Sequence, residues 1–160
     1  MIGKGVARGR YTLKNPEKYA GTKNPIYRSS WEHTFMTFCD NNPAVINWAS
    51  ESVRIPYMNP LTGKQSSYVP DFFVQYQDKN GNRKSELVEI KPSNQSTMEG
   101  AGRSRNRQMA VVQNMAKWEA ATQWAKKRGM KFRVLNEGDI YANTKKPKAV
   151  KRPKKPIKPR

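Results

Sequence analysis

The segment from Tyr68 to Lys91 constrains the fold most tightly. Two runs rich in apolar, β-branched and aromatic residues, Tyr68-Val69-Pro70-Asp71-Phe72-Phe73-Val74 and Leu87-Val88-Glu89-Ile90-Lys91, flank Asp78-Lys79-Asn80-Gly81. Such runs read as strands, and Asn-Gly between them is a strong hairpin signal because the tightest turns need φ > 0 at both central residues. A two-residue Asn80-Gly81 loop sets Asp71 opposite Ile90, with Glu89 and Lys91 on the diagonals. The strand period of two puts Glu89 and Lys91 on one face, and Val88 and Ile90 on the other.

These three ionisable residues admit two readings. A carboxylate in the apolar run around Asp71 is expensive to bury without a cation or donors. Two carboxylates a few ångströms apart resist joint ionisation unless a cation lies between them, and an all-oxygen pair favours Mg²⁺, with Mn²⁺ expected to substitute. Lys91 can then orient a water and stabilise developing negative charge, which makes a usable phosphodiester-cleaving centre. The alternative is a cross-strand Asp-Lys or Glu-Lys salt bridge on a solvated face.

The flanking elements follow from periodicity. Ser29-Ser30-Trp31-Glu32 opens an amphipathic helix in which Trp31, Phe35 and Phe38 share a face, and Asp40-Asn41-Asn42-Pro43 stops it. The opening is a capping box, with Ser29 as N-cap and Glu32 reaching back to the Ser29 amide. After Val45-Ile46-Asn47-Trp48, the expected strands are Ser52 to Tyr57, Tyr68 to Tyr76 and Glu86 to Lys91. A polar loop from Ser93 to Ser104 leads into a long helix, Asn106 to Lys127, with an apolar stripe of Val111, Met115, Trp118 and Ala125 and a stop at Arg128-Gly129. A strand from Lys131 to Leu135 closes the domain. The order of helix, three strands, helix and strand predicts an α/β fold with a mixed central sheet flanked by helices.

Charge points to the partner. The chain has 31 Lys+Arg against 12 Asp+Glu, a net +19 over 160 residues, and such self-repulsion is offset by a polyanion such as nucleic acid. A single domain is expected, covering residues 27–144, with a basic irregular arm over 1–26. Residues 145–160 hold nine Lys or Arg, four Pro and no acid, the composition of a disordered tail. The remainder still carries 22 basic residues against 12 acidic ones, so the folded part is itself basic. Cys39 and His33 are the only residues of their kinds, which excludes internal disulfides, zinc fingers and histidine-metal nuclease sites. No secretory signal and no membrane-spanning stretch is visible, so a soluble, non-secreted protein without a membrane partner is expected.

Pro70-Asp71, a hairpin, then Glu89-Ile90-Lys91 resembles the PD-(D/E)XK nuclease superfamily, whose restriction-endonuclease-like core has the order αβββαβ. The strings Tyr27-Arg28-Ser29-Ser30-Trp31-Glu32, Asn42-Pro43-Ala44-Val45-Ile46-Asn47-Trp48, Tyr68-Val69-Pro70-Asp71-Phe72 and Val88-Glu89-Ile90-Lys91-Pro92 carry the likeness further. With Lys117-Trp118-Glu119-Ala120-Ala121 and Phe132-Arg133-Val134-Leu135, they look like the head completion nucleases of T-even-type tailed phages. They are more distantly similar to the endonuclease subunit of heteromeric transposases. The resemblance implies Glu32, Asp71, Glu89 and Lys91 as catalytic residues, with the three carboxylates as metal ligands. It also implies double-stranded or branched DNA as substrate, phage head or neck proteins as partners, and a place in the host cytoplasm during assembly, or on the virion.

Arg103, Arg105 and Arg107, before the long helix, are candidates for phosphate contacts, as are Gln108, Asn114 and Lys117 on it, against the alternative of a solvated polar face. The four tryptophans read as core rather than as base-stacking residues. The function so read is a metal-dependent DNA endonuclease. A non-catalytic DNA-binding virion protein is the alternative, and an RNA-binding ribosome-associated protein a weaker third.

Overall fold

The computed structural model describes residues 8–139. In chain order they form β1 (Gly9–Arg10), β2 (Ile26–Tyr27), α1 (Ser30–Asn41), β3 (Val45–Ser50), β4 (Ile55–Met58), β5 (Gln65–Tyr68), β6 (Phe72–Gln77), β7 (Arg83–Ile90), α2 (Met98–Ala101), α3 (Arg105–Lys127) and β8 (Lys131–Leu135). The central sheet has the order β3-β6-β7-β8, antiparallel except for the parallel pair β7-β8. It is the expected mixed sheet of a restriction-endonuclease-like α/β fold.

The hairpin between β6 and β7 forms, but not around a two-residue turn. Gln77 pairs with Arg83, and the Asp78 amide donates to the Asn82 carbonyl, leaving Lys79, Asn80 and Gly81 as a three-residue loop. Gly81 takes φ +84°, the left-handed position that closes such loops, and the Asp78 carboxylate accepts from the Asn80 and Asn82 amides. The extra loop residue shifts the register by one. Phe72 lies opposite Val88, and the same register carried one step further sets Asp71 against Glu89 instead of Ile90. Directly opposed residues share a face, so this slip brings the two carboxylates to the same side of the sheet.

The strand assignment also changes. Ser52 to Tyr57 was expected as the first of three sheet strands, but β4 pairs only with β5, as a separate hairpin with Ile55 opposite Tyr68. The first of the three is β3, whose Trp48 lies opposite Val74. The expected strand from Tyr68 to Tyr76 is split between the two sheets. Pro70 has no amide to donate, so neither ladder runs through it, and the chain crosses at Val69-Pro70-Asp71.

Both faces of the sheet are covered. Phe72, Val74, Val88 and Ile90 pack with Phe35, Met36 and Cys39 of α1 and with Trp48. On the opposite face Phe73 and Leu87 meet Ala121 and Ala125 of α3, together with Ile55, Tyr57 and Tyr68 of the small hairpin. The α3 stripe differs from expectation at one position. Val111, Asn114, Ala121 and Ala125 are buried, whereas Met115 is 57% exposed. The buried set follows a seven-residue spacing, and Met115 lies to its side. Trp48 is fully buried and Trp31, Trp118 and Trp124 are partly buried against these clusters, so all four serve the core.

The basic segment before α1 is largely irregular over its described part. Residues 8–26 pack on the domain around the buried Asp40. Its carboxylate accepts from the Tyr11 hydroxyl at 2.9 Å and from the amides of Lys14 and Asn15 at 2.8 and 3.0 Å. The segment joins the domain through the side chains of Tyr11, Leu13 and Tyr19, which pack on the core, as well as through its backbone donors. Residues 1–7 and the expected tail over 145–160 lie outside the described residues.

Burial pushes the Asp40 pKa up, but these hydrogen bonds outweigh it and hold the carboxyl below its ordinary value. A depressed carboxylate pKa stabilises the fold fully above ~4 and loses that contribution as pH falls through the native value. Asp40→Ala is expected to cost about 3 kcal/mol in urea unfolding at neutral pH, since it orphans several donors. The gap to wild type is expected to narrow in acid; an equal gap at both ends of the range would remove Asp40 as the acid-sensitive anchor.

Candidate active site

Glu32, Asp71, Glu89 and Lys91 come together where the chain crosses between the two sheets. Asp71 Oδ2 accepts from the Ile90 amide at 2.8 Å, and the Asp71 carbonyl accepts from the Glu51 amide at 2.9 Å. The residue is thus clamped from both sides. Its pKa is driven well above the usual carboxylate value, first by burial and then by the negative charges of Glu89 and Glu32; the Ile90 amide and Lys91 oppose the rise.

Glu89 is 6% exposed, at the end of β7. The Tyr68 hydroxyl donates to its Oε1 at 2.8 Å, and Lys91 Nζ lies 3.5 Å from its Oε2. A solvated salt bridge would leave these groups open to water, but the Glu89 side chain is 8% exposed and that of Lys91 24%. The ion pair exists within a partly enclosed site.

Glu32 enters from the first turn of α1. Ser29 is the N-cap, and its hydroxyl accepts from the Glu32 amide at 3.1 Å, as the capping box requires. The reciprocal bond is displaced by one residue: Glu32 Oε1 accepts from the Arg28 amide at 2.9 Å, not from Ser29. Burial raises the Glu32 pKa; Arg28 opposes this, while Glu51 and Glu89 add to it. The carboxylates of Glu32, Asp71 and Glu89 therefore act on one another electrostatically. Among the described residues, no group of three or more His, Cys, Asp or Glu side chains converges closely enough to hold an ion unaided.

The candidate DNA contacts fall into different settings. Arg103, Arg105 and Arg107 are exposed around the start of α3. Gln108 Nε2 donates to the Gly102 carbonyl at 2.7 Å, bracing the turn between α2 and α3. Asn114 is buried, and its Nδ2 donates to the Gln95 carbonyl at 3.1 Å, which ties the chain after Lys91 to α3. Lys117 Nζ sits 5.7 Å above the Tyr68 ring, so it reaches the site through the residue that holds Glu89.

Sequence reasoning missed Tyr68 and Arg28 as parts of this arrangement. Tyr68 belongs to the small hairpin and meets Glu89 only because that hairpin folds over the sheet face. Two bonds mark Arg28, its amide to Glu32 and its guanidinium to Glu51, and neither has a local sequence signature.

A family model described as the TnsA-like endonuclease N-terminal domain matches residues 42–137, a span that includes Asp71, Glu89 and Lys91. The chain belongs to the TnsA-like endonuclease family. The chain is also 35% identical over 144 residues to the head completion nuclease of Enterobacteria phage T4, a match covering 84% of this chain and 93% of that protein. Both resemblances read from the motifs therefore hold. No helix among the described residues is long and apolar enough to cross a membrane.

The raised Asp71 pKa has a consequence for stability. With the native pKa above the unfolded value, the native state binds more protons in the window between them, so stability falls as pH rises through it. Without metal at neutral pH, Asp71→Asn is expected to raise Tm by a few degrees, because the amide oxygen still accepts from Ile90 while the repulsion is gone. A lowered Tm would show that the carboxylate is held by attraction instead.

Proposed function

We propose that the chain is a Mg²⁺-dependent DNA endonuclease that hydrolyses phosphodiester bonds, acting on phage DNA in the host cytoplasm during head completion after packaging. The reading rests above all on one observation: the Asp71 carboxylate is held on the Ile90 amide, next to Glu89, whose Oε2 lies 3.5 Å from Lys91 Nζ, in a protein of net charge +19. A protein that only binds DNA gains nothing from acids aimed at a polyanion. The likeness to the T4 head completion nuclease supports the place in head completion, and phage head or neck proteins are the proposed partners.

The donor set suits a hard cation. Glu32, Asp71 and Glu89 offer carboxylate oxygens that repel one another, and Mg²⁺ commonly takes one or two carboxylates with water and phosphate completing its shell. Asp71 and Glu89 would hold the ion, with Glu32 acting through a bound water and Mn²⁺ as a substitute, and when bound it would supply charge neutralisation at the scissile phosphate and a more acidic water. The protein's own groups do the positioning. The Ile90 amide fixes the Asp71 carboxylate and the Tyr68 hydroxyl fixes one oxygen of Glu89. The ammonium of Lys91, beside the other oxygen, orients the attacking water and stabilises charge on the phosphate as the P–O bond breaks. Arg103, Arg105, Arg107 and Lys117 contact flanking phosphates in this reading, whereas Gln108 and Asn114 shape the loop that carries them.

With supercoiled plasmid and Mg²⁺, the wild type is expected to nick and an EDTA control to be silent. Asp71→Ala and Glu89→Ala are each expected to lose about two or more orders of magnitude in rate, while binding DNA in EDTA at least as tightly as wild type. Undiminished nicking by both variants overturns the proposal. Glu32→Gln separates cap from chemistry. The amide still accepts from Arg28, so near-native thermal stability with about a hundredfold slower cleavage is expected, and full activity at saturating Mg²⁺ would leave Glu32 as a helix cap.

A further inference from the structure

Beside the carboxylates lies a cavity of about 650 Å³ whose lining includes Thr22, Lys23, Asn24, Arg28, Glu51 and Ser52. Its walls are shared with the active site. The Arg28 amide holds Glu32, and the Glu51 amide holds the Asp71 carbonyl. The lining is rich in donors and carries two cations against one acid, which suits an anion better than an apolar ligand.

That acid is in an unusual state. Glu51 has φ +51°, and it is the one non-glycine residue with positive φ among the described residues. Such a conformation is disfavoured for a side chain with a Cβ and persists only where the surroundings impose it. In this conformation the Glu51 amide donates to the Asp71 carbonyl at 2.9 Å and the carboxylate meets the Arg28 guanidinium, Nη1 to Oε2 at 2.5 Å. Both side chains are more than 40% exposed, so the pair is well solvated and easily exchanged. The Arg28 guanidinium also interacts electrostatically with Glu32 and Asp71.

We propose that this cavity is a binding subsite for a DNA backbone phosphate flanking the scissile one, with Arg28 and Lys23 as its cationic contacts and Glu51 as the counter-ion that holds Arg28 until the phosphate replaces it. The inference rests on the endonuclease reading for the identity of the polyanion. A planar guanidinium can take two phosphate oxygens at once, and exchanging a carboxylate for a phosphate keeps it paired throughout. Release of Arg28 leaves Glu51 solvated at the cavity edge, where no buried charge is stranded.

The two members of the pair are expected to act in opposite directions, which a structural salt bridge would not do. Binding of a fluorescein-labelled duplex to the full chain is followed by anisotropy in EDTA over a salt series. Arg28→Ala is expected to weaken binding about tenfold and to make the slope of log Kd against log salt shallower by about one, the signature of one lost phosphate contact. Lys23→Ala gives a change in the same direction. Glu51→Gln, which keeps the side-chain shape and frees the guanidinium, is expected to tighten binding several-fold. Arg28→Lys, with the charge retained and the fork lost, should fall between wild type and Arg28→Ala. Equal weakening by Arg28→Ala and Glu51→Gln, or an unchanged salt slope in Arg28→Ala with a native melting temperature, overturns the subsite. Since no cleavage is measured, this outcome is independent of the plasmid test: loss of the slope effect with Asp71→Ala still inactive would reject the subsite alone.

Discussion

The hydrogen bond from the Ile90 amide to Asp71 Oδ2 governs the geometry of this protein. Asp71 stands where the backbone ladder of β6 and β7 has ended and the chain is crossing from one sheet to another. Its carboxylate takes up an amide at the end of β7, while its carbonyl receives the Glu51 amide from the stretch after β3. One residue thus joins three chain segments. The carboxylate left over by this joinery is held beside Glu89, and the crowding follows from the backbone rather than from any attraction between the acids.

That crowding runs against stability. Burial and the neighbouring negative charges both raise the Asp71 pKa, and burial raises that of Glu32. The same domain shows what a carboxylate placed for stability looks like. Asp40 is fully buried, yet donors surround it and its pKa is lowered. The contrast separates the two kinds of buried acid. Donors outnumber charges around Asp40, while charges outnumber donors around Asp71, and a cation is the natural complement of the second environment.

The Asp40 cluster also has an indirect part in the site. By tying down residues 8–26 it fixes the chain that leads through β2 to Arg28 and the start of α1, from which Glu32 projects. Across the sheet, α3 and the small hairpin set Tyr68 against Glu89. The candidate site accordingly draws on both layers, although its carboxylates and lysine come from a short stretch of sequence and one helix start.

Local sequence determined the elements whose cause is local. The helix from Ser29, the long helix ending before Gly129 and the two strands around Asn80-Gly81 were legible because caps, periodicity and turn residues act within a few positions. Asp71, Glu89 and Lys91 were legible as a group for the same reason, being charges out of place in apolar strands. What stayed hidden depends on contacts between distant segments. A single added loop residue reversed which face Asp71 shares, since strand side chains alternate and a one-step slip exchanges the faces. Whether β4 joined the main sheet or made its own hairpin with β5 depended on which edge was free, which no local pattern encodes. Asn114 and Met115 exchanged their expected settings because a helix buries whatever its neighbours cover. The sequence by itself determined which residues carry the charge and where helices and strands begin; tertiary structure decided register, sheet membership and partners, because those are set by packing and hydrogen bonds across many tens of residues.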